Sequence, residues 1–232
     1  MKIKKKTILM ILVIVAILVL IALGGFFGYQ KYQEYLLSRE TDKIGNLDIL
    51  KDQVDMKIYT TGDYAVVEKT MKNYIADYGK ISQQVITLID DDTLKNLLTV
   101  ERIEQDGKEF HDTLTYLQKK KTDIEKVMNQ MITMTSDQEI MNAIKKEKVS
   151  VSYQNLYRKM MLDSDIAGAL KQEQNNLIDT KEKTLVFIDN YIKIFEFLKA
   201  NGSSYMVSDG QILFQNESLY QQYQSLVSSL QN

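Results

Sequence analysis

From Ile8 to Phe27 the chain carries no polar side chain. Twenty residues at a rise of 1.5 Å span about 30 Å, the thickness of a bilayer's hydrocarbon core. A helix on a soluble core would show a polar stripe, and this run has none. The pattern predicts a transmembrane helix over 8–28, anchored by residues such as Ile8, Leu18 and Phe27, after a cytoplasmic tail of 1–7. Tyr29, Tyr32 and Tyr35 follow at once, as expected of amphipathic rings at the outer interface.

Residues 29–62 read as a polar stalk and connecting segment, with breaks at Gly45-Asn46 and Thr61-Gly62-Asp63. A clear helical period then begins, in which Tyr64, Val67, Met71, Tyr74, Ile75, Tyr78, Ile81, Val85, Leu88 and Ile89 recur at three- and four-residue steps. Asp90-Asp91-Asp92-Thr93 interrupts it, and Asp92 or Thr93 is positioned to cap the next helix. Leu94, Leu97, Leu98 and Ile103 extend the stripe, and Phe110 to Ile132 resumes it beyond Gly107, which either breaks or bends the helix.

Ser136 and Glu139 form a candidate capping box. Val149-Ser-Val-Ser152 alternates like a short strand, but Ile144, Val151, Leu156 and Met160 favour helix there. Asp163-Ser164-Asp165 starts a long helix that Asn201-Gly202 ends. Residues 204–214, with Asp209-Gly210 at their centre, predict a two-residue hairpin. Asn216 caps a final helix. The expected fold class is all-α: a single N-terminal transmembrane helix, then an antiparallel helical bundle over 63–232 with a small β-hairpin.

Composition sharpens this picture. The chain has 232 residues but no Pro, no Cys and no Trp, and only 10 Gly, which suits long helices with few turns. Without cysteine there is no disulfide, thiolate metal site, cysteine nucleophile or lipid-attachment cysteine. Lys2, Lys4, Lys5 and Lys6 precede the apolar run, so the positive-inside rule keeps the N-terminus cytoplasmic and puts the body outside. Without those four, 25 basic residues face 31 acids, a net charge of −6 with no sustained basic face, which argues against nucleic acid as partner. Cleavage at Ala22-Leu23-Gly24, releasing the body, is the competing reading. Gly24 and Gly28 have the spacing of a weak helix-pairing motif.

Candidate chemistry is sparse. His111 is the single histidine, too few for a histidine-based metal site, and lies on a helical stretch without a triad's partners. Asp90, Asp91 and Asp92 lack the spacing of a calcium loop and read as capping residues. Lys119-Lys120-Lys121 and Lys145-Lys146-Glu147-Lys148 read as solvated helix faces; an anionic membrane or wall polymer is the functional alternative. Met128, Met131, Met134 and Met141 read as core filling, the alternative being an adaptable groove. Asn201-Gly-Ser203 and Asn216-Glu-Ser218 match the glycosylation sequon, a pattern frequent by chance. No catalytic, cofactor-binding or metal residue is assigned.

The lysine-rich start, single anchor, Cys- and Pro-free helical body and tail Gly202-Ser-Ser-Tyr-Met-Val-Ser-Asp-Gly-Gln-Ile-Leu-Phe214 resemble uncharacterised membrane-anchored or lipoprotein-type helical surface proteins of low-GC Gram-positive bacteria. Some of these are described as binding the cell wall. The likeness is one of general plan, and it carries no site residue over. The expected function is that of a non-enzymatic single-pass protein whose partners are the lipid bilayer and an envelope protein or wall polymer. The alternatives are an accessory subunit of a transport or secretion complex and, further off, a wall-polymer hydrolase using paired carboxylates.

Overall fold

A computed structural model describes residues 27–49, 51–163, 165–208 and 210–230. Of the expected membrane helix and its tail, Lys2, Lys4, Lys5, Lys6, Ile8 and Leu18 lie outside the described residues, as does Gly24; Phe27 falls within them. No helix among the described residues is long and apolar enough to cross a membrane. The described chain is mostly helical, with a two-stranded antiparallel hairpin near its C-terminus.

The chain separates into two compact units: residues up to Ala76 with Ile140–Ala169, and Asp77–Glu139 with the residues from Leu170 onward. The segment expected to be a polar stalk is a packed helix, α1, spanning 27–45. Gln33, Leu36, Leu37, Glu40, Thr41 and Ile44 are buried, and their three- and four-residue spacing puts them on one face. Two of the polar members of that face, Gln33 and Glu40, make the stripe hard to read from hydropathy.

In the first unit α1 is joined by the start of α2 (Asp63–Ile89), most of α6 (Asp137–Lys145), all of α7 (Val151–Leu162) and the start of α8 (Asp165–Ala200). Thr61, just before α2, meets the start of α1 through Tyr29 (2.6 Å) and Gln33 (2.9 Å). Farther along both helices, Thr41 hydrogen-bonds the Met71 sulfur at 3.5 Å. The two helices therefore run parallel, and residues 46–62, largely without regular structure, carry the chain back. The sense of α7 is the same. Tyr153, in its first turn, packs edge-on against Tyr64 at 5.0 Å, and Ile166, just beyond its end, approaches Gly45. Tyr157, Met160, Met161, Ile140 and Ile144 fill the core. The stretch Val149–Ser152 forms no strand; α7 begins at Val151.

The second unit contains an antiparallel helix pair. It holds the rest of α2, α3 (Asp92–Lys95), α4 (Val100–Asp106), α5 (His111–Met134), most of α8, β1 (Tyr205–Ser208), β2 (Gln211–Phe214) and α9 (Glu217–Ser228). Along α5 and α8, Phe110 meets Phe195, Lys121 meets Asp189 and Asn129 meets Lys181, an order that only opposed helices give. Gly107 breaks the chain rather than bending it: its φ is +69°, and Phe110, also left-handed at +49°, leads into α5. Asp91, one residue earlier than expected, caps α3 by accepting from the Thr93 amide. Ser136 accepts from the Glu139 amide at 3.3 Å, which is half of a capping box. Ser208 pairs with Gln211 across the turn, with Gly210 at +73°. Phe214 of the hairpin lies among Phe197, Tyr205 and Tyr223 at 5.2–6.2 Å, which ties the hairpin to α8 and α9.

Candidate functional site

The densest polar constellation among the described residues lies in the first unit. Lys72 on α2 is 1% exposed. Its ammonium donates to Glu68 (2.8 Å), to Glu40 on α1 (2.9 Å) and to the Lys57 carbonyl (2.6 Å), which uses all three of its protons. Helical spacing places Glu68 and Lys72 on one face at i, i+4. Parallel packing of α1 brings in Glu40.

Both carboxylates are further occupied. Glu68 accepts from the Tyr59 and Thr60 amides and the Thr60 hydroxyl, at 2.8–3.2 Å. Glu40 accepts from Lys43 at 2.7 Å. Burial alone would raise the Glu68 carboxyl, but Lys72 and the Thr60 donors outweigh it and hold it below the ordinary range. For Glu40, burial again raises, and the bonds from Lys43 and Lys72 prevail in the same direction. Burial would lower Lys72, yet Glu68 and Glu40 keep it above its usual value. All three groups are charged at neutral pH. A pair of carboxylates working as acid and base needs one of them raised, and here both are lowered.

The Tyr59 ring covers this cluster. Lys72, Lys43, Lys57 and Arg39 all place their cationic ends 4.9–5.4 Å from its centroid. Its hydroxyl donates to Asp55 at 2.9 Å. Beside it lies a groove of about 580 Å³, whose walls include Arg39, Asp42, Lys43, Gln53 and Asp55. Physically the cluster is a clasp. It fixes the returning segment against α1 and α2 and so holds Thr61 and the start of α2 beside Tyr29.

The second unit has its own clasp. Asp91 accepts from Lys120 and from Tyr116 (2.8 Å) as well as capping α3, and the Lys120 bond leads in holding its carboxyl well below the usual range. Lys121 pairs with Asp189 at 2.6 Å. The run 119–121 is therefore not a solvated face: two of its three lysines are bound to carboxylates. Lys145, Lys146 and Lys148 are exposed. Met128 and Met131 are core residues, and Met134 and Met141 are half-buried. His111 is exposed at the first turn of α5. Asp90 and Asp92 share Lys95, and no group of three ligating side chains among the described residues is placed to hold a metal ion. The Asn201 side chain bonds the Phe197 carbonyl, and Asn216 caps α9.

The expected interfacial residues are exposed, Tyr29 at 47%, Tyr32 at 58% and Tyr35 at 62%, as is the expected anchor residue Phe27 at 61%. Sequence reading missed the Glu40–Lys72–Glu68 cluster. The Glu68/Lys72 spacing was available as a signal, but Glu40 joins only through tertiary packing. No protein family model, curated protein or solved structure matches this chain.

Proposed function

We propose that this is a non-enzymatic single-pass membrane protein, with its N-terminus cytoplasmic, whose two helical units outside the membrane bind a partner in the cell envelope. The observation that carries the reading is the junction at Phe27. A twenty-residue apolar run preceded by four lysines ends there, and α1 continues with exposed rings at Tyr29, Tyr32 and Tyr35. Those rings suit the interfacial layer, where an apolar body and a polar hydroxyl are both accommodated. The groove beside Tyr59, whose accessible surface is mainly apolar between charged side chains, offers one place for an envelope protein segment or a wall polymer.

Alkaline extraction of membranes from cells expressing the full chain tests the anchor. The protein is expected to stay with the lipid at its full 26.9 kDa. A soluble product beginning at Gly25 would replace the anchored reading with a secreted one.

A further inference from the structure

The two basic runs of the sequence part company in the fold. Lys120 and Lys121 are bound by Asp91 and Asp189, whereas Lys145, Lys146 and Lys148 are exposed and hold no ion pair among the described residues. Lys145 ends α6, where a cation suits the helix dipole. Lys146 and Lys148 lie beyond it, in the loop to α7. Directly after them comes Val151, a β-branched apolar side chain left 69% exposed in the first turn of α7.

The position of this loop gives it meaning. Tyr153 packs against Tyr64, near the start of α2, and Tyr29 bonds Thr61 just before that start. The α6–α7 loop therefore sits at the end of the unit from which the chain leads into the apolar run. Glu34, Asp63 and Glu147 are the acids in this end's elements, and Lys31 with Lys145, Lys146 and Lys148 makes four lysines against three acids, so the end stays net positive.

We propose that the α6–α7 loop is a second membrane contact: Val151 enters the outer interface while Lys145, Lys146 and Lys148 meet the phosphates of anionic lipid headgroups. The contact rests on the anchored reading above. One spanning helix leaves a body free to tilt and swivel, and a second contact at the same end fixes its pose on the surface. Each lysine near an anionic surface contributes about a fivefold gain in partitioning.

The absence of cysteine makes the test direct. Val151→Cys and, separately, Tyr32→Cys are made in the full chain and labelled with an environment-sensitive fluorophore. The protein is reconstituted into vesicles of phosphatidylcholine alone or with about a third phosphatidylglycerol, both carrying a lipid-bound quencher. Quenching at both positions is expected, with the Val151 signal falling by about half or more when the three lysines become Gln or when the anionic lipid is left out. Quenching at Tyr32 without quenching at Val151 overturns the inference and leaves the anchor standing. Quenching at neither removes the anchor and the loop contact together. A Val151 signal indifferent to lysines and lipid charge overturns the headgroup contact.

Discussion

Lys72 lies 2.9 Å from Glu40, thirty-two residues earlier in the chain, and neither side chain is more than 2% exposed. The pair joins two parallel helices and, through Glu68, the segment that returns between them. A buried cation with two buried anions is costly to assemble and far costlier to leave incomplete.

Lys72→Met leaves Glu40 and Glu68 facing each other without their shared counter-ion. The expected loss is about 3–5 kcal/mol of unfolding free energy, read from denaturant titration. Adding Glu40→Gln and Glu68→Gln to that variant removes the orphaned charges and should recover a large part of the loss. A triple variant no more stable than Lys72→Met would mean the cluster does not act as a unit.

The same carboxylates set the acid limb of stability. Both are lowered in the fold from an ordinary value of 4.5, so the unfolded chain takes up protons first as pH falls. Their contribution is full above about pH 4.5 and is lost as pH drops from there through the folded values. Glu68→Gln should flatten the slope of unfolding free energy between about pH 5 and pH 3. An unchanged slope would put the acid sensitivity elsewhere.

Asp91 combines a cap, a hydroxyl partner and an ion pair. Asp91→Asn keeps an oxygen for the Thr93 amide but puts an NH2 group where Tyr116 and Lys120 both find their acceptor. Asp91→Ala loses everything. The alanine variant should lose about 2 kcal/mol and the asparagine variant about half of that, measured by thermal unfolding. Equal losses would show that the Thr93 cap contributes nothing measurable.

Gly107 tests the break before α5. A Cβ built there meets nothing within 4 Å, yet φ is +69° with ψ at −178°, a region nearly closed to L side chains. Gly107→Ala should therefore cost about 1–3 kcal/mol through the backbone alone. A neutral substitution would contradict the left-handed turn.

Much of this fold can be read from the chain because its boundaries rest on local chemistry. Gly62 and Gly210 turn where positive φ is needed, Asn216 caps α9 with its own side chain, and the stripe from Tyr64 to Val85 is buried as its period predicts. What stayed hidden is tertiary. Glu40 and Gln33 look like stalk residues until α2 arrives beside them. The parallel course of α1 and α2 depends on where residues 46–62 travel, which hydropathy does not record. Lys120 reads as a surface lysine until Asp91 meets it from the turn before α3.

The central claim is the direction of the chain across the bilayer. Ser218→Cys, on the exposed side of α9, supplies the single thiol for a membrane-impermeant maleimide in intact cells stripped of their wall. The account predicts full labelling before permeabilisation, on a protein that remains in the membrane pellet. Labelling only after permeabilisation, or a labelled protein wholly in the soluble fraction, would contradict it.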